Sequence, residues 1–321
     1  LLLFLVHLAS LLTMCLLYKW REGPSYRKTN RIDGKVVIVT GCNTGIGKEI
    51  ALELAKRGGR VYMACRDEQK CEKARQELIE LTGNTNVFNR TLNLASLQSV
   101  RDFVAKFKEE ENRLDILINN AGIMGTPYQL TEDGYEQQFA VNHLGHFLLT
   151  NLLLDMLKAS APSRIVVVSS VAYRVGQIQK DDINSEKSYG FFKAYGQSKL
   201  ANILFTRKLA AMLKNSNDKV DVNCLHPGSV QSEITRNNTF MSIVNAIGSK
   251  LVLRSTKGGA QTAIYLALDP DLEGASGGYY DNMTLTALQK KAQDDKMADW
   301  LWKKSEEMVG LKENITEKNK A

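Results

Sequence analysis

Tyr195 and Lys199 stand four residues apart in Tyr195-Gly196-Gln197-Ser198-Lys199. On a helix that spacing puts both side chains on one face, so a phenol and an ammonium lie side by side. A free tyrosine has a pKa of about 10, and a neighbouring cation lowers it by favouring the phenolate. Such a pair can give and take a proton near neutrality. Alone, Tyr-x-x-x-Lys is a common surface pairing, and its weight comes from its company. Upstream, an apolar run ends in Ser169-Ser170, where a hydroxyl at the carboxyl edge of a strand can meet a substrate carbonyl. Near the start of the chain lies Thr40-Gly41-Cys42-Asn43-Thr44-Gly45-Ile46-Gly47. Glycines there let a turn tighten, so that backbone N–H groups and the positive end of the following helix can approach a pyrophosphate.

The elements that must position these groups are legible as apolar, β-branched runs: Lys35 to Thr40, Arg60 to Cys65, Asn86 to Leu92, Leu114 to Asn119, Arg164 to Ser169 and Lys219 to Leu225. Helix-length segments separate them. Near-continuous apolar strands alternating with helices predict a parallel sheet covered on both faces, a doubly wound, Rossmann-type α/β fold in one domain. Two segments break the alternation, Val171 to Phe192 and Ser229 to Thr256, the latter carrying Phe240, Met241, Ile243, Val244, Ile247 and Leu251. Both leave carboxyl ends of strands, where open α/β sheets bind ligands, and both are expected to wall a substrate pocket. The tail from Leu285, with Trp300-Leu301-Trp302, reads as an amphipathic helix closing the fold.

The spacing G-x-x-x-G-x-G in the first turn, the Tyr-x-x-x-Lys pair and Asn119-Asn120-Ala121-Gly122 together resemble the short-chain dehydrogenase/reductase family. The resemblance runs from Lys35 to Asp281. It implies hydride transfer to and from a nicotinamide, with Tyr195 passing the proton, Ser170 orienting the substrate oxygen, Lys199 lowering the Tyr195 pKa and holding the ribose, and Asn142 supporting Lys199 through a proton relay. It further implies that Gly41, Asn43, Thr44, Gly45, Ile46 and Gly47 cradle the dinucleotide. Asn93 and Leu94 would lie by the adenine, Asn120, Ala121 and Gly122 along the cofactor wall, and Pro227, Gly228 and Val230 around the nicotinamide. Asn93 is a departure, because the family usually carries an acid there. After the second strand the chain reads Ala64-Cys65-Arg66-Asp67, with Cys65 where NAD-binding members place an acid. A guanidinium at Arg66 can pair with a 2′-phosphate that a carboxylate would repel, so NADP(H) is the expected cofactor. The competing reading gives the ribose contact to Asp67. Within the family, Val141-Asn142-His143-Leu144-Gly145-His146-Phe147 and His226-Pro227-Gly228-Ser229-Val230 look like the retinol dehydrogenase 11 to 14 group of microsomal retinal reductases. A lipophilic alcohol or aldehyde, retinal foremost, is then the expected substrate. A steroid, fatty-aldehyde or xenobiotic carbonyl reductase, or a scaffold retaining the fold without the chemistry, are the rivals.

The net charge of +7 comes without a long basic tract or finger spacing, so no nucleic-acid partner is expected. The five cysteines include no C-x-x-C, and His143 and His146 lack a third ligand at a recognisable spacing, so neither a disulfide framework nor a metal site is expected. Leu1 to Tyr18 is nearly all apolar and is followed by Lys19, Arg21, Arg27, Lys28 and Arg31. As a helix it reaches ~27 Å against a hydrocarbon core of ~30 Å. It is expected to anchor the chain (1–18) through a basic linker (19–34) to a catalytic domain (35–321). The positive-inside rule puts that domain on the cytoplasmic face, and the resemblance places it at the endoplasmic reticulum. A cleaved signal peptide is the alternative, disfavoured by the Tyr18-Lys19-Trp20 exit. Partners are thus membrane lipid and a small lipophilic substrate, with a homodimer among the assemblies the resemblance allows.

Overall fold

Four apolar residues and a threonine, Val36–Thr40, form the first strand, β1, and all five are buried, which is what a central parallel strand covered on both faces demands. In the computed structural model, which describes residues 21–230 and 253–311, β1 leads into helix α1 (Gly45–Lys56), β2 (Arg60–Cys65), α2 (Glu68–Thr82), β3 (Val87–Thr91), α3 (Leu97–Glu110) and β4 (Ile116–Asn119). A short π-helical turn, Ala140–Leu144, runs into α4 (Gly145–Ala159), followed by β5 (Ser163–Val168), a 3₁₀ turn (Val171–Arg174), α5 (Phe191–Asn215) and β6 (Val220–His226). The chain closes with α6 (Thr256–Leu268), β7 (Tyr279–Asp281), β8 (Thr284–Leu285) and α7 (Asp295–Met308).

The strands lie in the order β3-β2-β1-β4-β5-β6-β7-β8, with every pair parallel except β7 and β8. Strand order therefore reverses between β1 and β4, and the crevice at that switch point is where such sheets bind ligands. Alternate residues of β1 serve opposite layers. Val37 and Val39 pack with α1, α2 and α6, whereas Val36 and Ile38 pack with α3, α4, α5 and α7. The doubly wound sheet expected from the sequence is observed, and its six readable strands fall within two residues of the apolar runs. The expected closing helix is α7. Its Trp302 packs edge-on against Phe147 at 5.0 Å and stacks on Phe205 at 5.8 Å.

The segment expected as a basic linker lies against the domain from Arg21 onward. Glu22 accepts hydrogen bonds from the Ser255 backbone and hydroxyl, Lys28 pairs with Asp269 and Asp271 at 2.6 Å, and Ile32 is buried. The expected anchor, Leu1 to Tyr18, and residues 231–252 of the second expected pocket wall lie outside the described residues. Among the described residues no helix is long and apolar enough to cross a membrane.

Candidate active site

Helix α1 starts without help. Thr44 at its N-cap makes no side-chain capping bond and the first turn holds no acid, whereas α2, α3, α6 and α7 are capped by Asp67, Ser96, Ser255 and Asp294. Its first N–H groups and its positive end are left for an anion. Glycine is required around it. Gly41 has φ +63°, and a Cβ on Gly47 would lie 2.5 Å from both the Gly41 carbonyl and Asn120 Nδ2. The turn is thereby pressed against Asn120, whose amide donates to the Thr40 and Gly41 carbonyls.

This turn forms one wall of a cavity of about 460 Å³ at the β1/β4 crevice. Every residue expected to touch the dinucleotide lines it: Gly41 and Asn43 to Gly47 at the turn, Arg66 beyond β2, Asn93 and Leu94 beyond β3, Asn120 to Gly122 beyond β4, and Pro227, Gly228 and Val230 beyond β6. Asn93 Oδ1 accepts from the Ala95 amide at 3.2 Å, which leaves its NH₂ group and the second lone pair of that oxygen for an adenine. Asp67 caps α2 through the Lys70 amide and pairs with Lys70 Nζ at 3.0 Å, while Arg66 is exposed on the cavity wall. Lys70 lines the same wall. Arg66 and Lys70 thus bring two cations to this wall, Lys70 beside its partner Asp67, and Lys70 was not singled out from the sequence.

Ser170, Tyr195 and Lys199 line the other end of the cavity. Gly196 allows the turn after Ser170 to pack directly on α5: a Cβ there would lie 3.0 Å from the Ala172 carbonyl. Tyr195 and Lys199 are 6% and 2% exposed, and Lys199 Nζ lies 5.5 Å from the Tyr195 ring centre and donates to the Val168 carbonyl at 3.1 Å. Burial dominates the electrostatics. It lifts the phenol to about 12 against the opposing hydrogen bond with Ser170, and it brings the ammonium down to about 8. The expected lowering of Tyr195 by Lys199 is therefore outweighed in the protein alone, because desolvation penalises the phenolate more than a cation at this distance favours it.

Asn142 lies within the π-helical turn, is fully buried, and does not line the cavity. Its amide clamps the strand exit, accepting from the Ile123 N–H at 2.8 Å and donating to the Ile123 carbonyl and to Ser198 Oγ at 3.0 Å. Its backbone carbonyl accepts from His146 Nδ1 at 3.2 Å, which leaves Nε2 to accept from the Thr40 hydroxyl at 2.9 Å. Thr40 Oγ1 in turn accepts from the Asn120 and Ala121 amides, both at 2.9 Å. A neutral imidazole, held far below its ordinary pKa by burial, so joins the Asn142 turn to the phosphate turn. His143 is likewise buried, bonded to Ser305 and Asn202.

A model of the short chain dehydrogenase family matches residues 35–241. Retinol dehydrogenase 13 of Homo sapiens is 51% identical over 286 residues, covering 87% of this chain and 86% of that protein. The chain belongs to the short-chain dehydrogenase family. An uncharacterized protein from Mycobacterium paratuberculosis shares the fold with a TM-score of 0.73 and 33% identity, covering 90% of this chain and 98% of that one. The Pseudomonas aeruginosa RhlG/NADP active-site complex superposes with a TM-score of 0.63 at 26% identity, over 79% and 96% of the two chains. This short-chain dehydrogenase is an oxidoreductase dependent on a nicotinamide dinucleotide, and its cavity fits that group. The phosphate turn supplies uncapped amide donors, the cations lie at one end and the Ser170, Tyr195 and Lys199 hydrogen-bonding groups at the other.

Proposed function

We propose that this chain interconverts a lipophilic alcohol and its aldehyde, retinol and retinal foremost, with NADP(H), and that Ser170, Tyr195 and Lys199 perform the chemistry. The observation that carries this reading is the convergence of those three side chains on the same cavity as the uncapped phosphate turn and Arg66. A dinucleotide held by the phosphate turn and Arg66 would supply the hydride-transfer chemistry. Tyr195, protonated at neutral pH because burial raises it to about 12, donates its hydroxyl proton to the carbonyl oxygen during reduction. Ser170 holds that oxygen by a hydrogen bond, and Lys199 places a positive charge beside the oxygen that Tyr195 is left with. Asn142, through Ser198 and Ile123, fixes the helix and strand exit between which Lys199 works.

The retinoid preference is supported by the identity to retinol dehydrogenase 13, and NADP(H) by Arg66 with Lys70 and by the cofactor of the Pseudomonas complex. Leu1 to Tyr18 anchors the protein in the membrane of the endoplasmic reticulum, with residues 35–321 as the catalytic domain on the cytoplasmic side. NADPH oxidation with all-trans-retinal, compared with NADH and with a short aldehyde, tests the whole reading. Turnover with NADPH and retinal well above both alternatives is expected, and no turnover with any aldehyde despite dinucleotide binding overturns it in favour of a scaffold.

Two further results follow from the geometry. Arg66→Ala should raise KM for NADPH about tenfold or more, the worth of one charge-assisted hydrogen bond, and leave KM for NADH nearly unchanged. An equal loss for both cofactors would mean that Arg66 does not read the 2′-phosphate. Reduction should also lose rate as pH rises through about 8, where Lys199 gives up its proton while Tyr195 keeps its own. In Lys199→Arg that limb should vanish, since a guanidinium stays charged, and a limb that remained would belong to another group.

A further inference from the structure

Three of the described cysteines, Cys42, Cys65 and Cys71, are buried together beneath the adenosine end of the cavity, and the mechanism uses none of them. Cys42 lies in the phosphate turn and Cys65 at the end of β2, and their sulfurs are 3.7 Å apart. Cys71, on α2, lies beside them, its thiol 3.5 Å from the Met63 carbonyl of β2. The residues on either side of Cys42, Gly41 and Asn43, line the cavity, as do Ala64 and Arg66 on either side of Cys65. Both thiols therefore sit one layer under the floor on which a dinucleotide would rest. Hydrogen bonds from Cys42, from Cys71 and from the Cys42 and Asn43 amides favour the Cys65 thiolate, while burial keeps Cys42 protonated.

We infer that Cys42 and Cys65 form a reversible disulfide under peroxide, and that this bond switches off dinucleotide binding. This rests on reading the turn as the cofactor site. The Cys65 thiolate attacks a peroxide oxygen, breaking the O–O bond to give a sulfenic acid and a hydroxide, which takes up the proton Cys65 released and leaves as water. The Cys42 sulfur then attacks the Cys65 sulfur, forming the S–S bond and expelling the hydroxyl, which leaves as water with the Cys42 proton. Two thiols are oxidised by two electrons, and one hydrogen peroxide is reduced to two waters. The sulfurs must close from 3.7 Å to about 2.05 Å. That movement is taken up by the phosphate turn or by the end of β2 that carries Arg66, and either displaces donors to the cofactor. The thiols are at most 2% exposed, so peroxide reaches them only when the floor opens, and a bound dinucleotide holds that floor shut.

The test uses the full-length protein, reduced and then exposed to hydrogen peroxide with or without saturating NADPH. NADPH affinity is measured after peroxide removal, and disulfides are located by peptide mapping. Oxidation should weaken NADPH binding by about tenfold or more, the equivalent of one charge-assisted hydrogen bond to a phosphate. A thiol reductant should restore it, and prior NADPH should prevent the loss. Each variant is read as the ratio of its own NADPH affinity before and after peroxide, whatever its reduced affinity: Cys42→Ala should show no change, whereas Cys71→Ala should lose affinity as the parent does. A bond mapped to another pair, undiminished binding after peroxide, or a sensitive Cys42→Ala overturns the proposal. Mapping reads the bond whether or not the dinucleotide binds, so a missing bond is distinguished from a reduced protein that binds no dinucleotide, which would overturn the reading of the site itself.

Discussion

Tyr195→Phe should cut kcat for retinal reduction by about a thousandfold or more while changing NADPH affinity less than about twofold, as expected when a proton donor acting in the chemical step is lost. The substitution keeps the ring that fills the buried site and removes only the hydroxyl, which is hydrogen-bonded to Ser170. Fold and cofactor cradle are left alone, because the phosphate turn and Arg66 lie at the other end of the cavity. Steady-state kinetics with equilibrium NADPH binding separates the two effects. A kcat within tenfold of the parent would assign the proton to another group, and weakened NADPH binding in proportion would make Tyr195 a cofactor contact above all.

Gly47→Ala should weaken NADPH binding by about a hundredfold, with kcat at saturating cofactor reduced far less. The added Cβ would sit 2.5 Å from the Gly41 carbonyl and 2.9 Å from Cys42 Cα, and neither backbone atom can swing away as a flexible side chain would. The turn must move, and each amide donor lost to a phosphate is worth about 1.5–3 kcal/mol, roughly ten- to a hundredfold in affinity. Isothermal titration of the folded variant measures this directly. An affinity within about threefold of the parent would show that the turn relaxes without disturbing its donors.

Much of this was legible beforehand because the strands are long, apolar and β-branched, and because the site residues sit at strand exits whose position the alternation sets. Tyr279–Asp281 escaped notice: three residues after Gly277-Gly278 are too short for a periodic signal, and they pair only because β6 offers an edge. The π-helical turn at Asn142 has no signature in residue types, since a shift in backbone hydrogen bonding leaves the apolar pattern unchanged. Lys70 was missed because its reach depends on how α2 leaves β2. The four-residue spacing of Asn142 and His146 was visible, but the Thr40 hydroxyl that completes their link comes from a strand about a hundred residues earlier. The Tyr195 proton affinity is not readable from the sequence for a related reason: the spacing reveals the neighbouring charge, and only the packed structure reveals how little water remains around both groups.

The docking of Arg21 and the residues after it against α6 sets the length of a leash. With the membrane segment ending at Tyr18 as proposed, only Lys19 and Trp20 stand between it and the docked Arg21. Two residues reach roughly 7 Å at full extension. Arg21 is itself held by Arg254, whose guanidinium also binds the Pro227 carbonyl at the cavity wall. An enzyme tied in this way would meet its substrate at the bilayer and not as a dilute solute, and the surface density of a poorly soluble alcohol, not its aqueous concentration, would set how often the cavity fills.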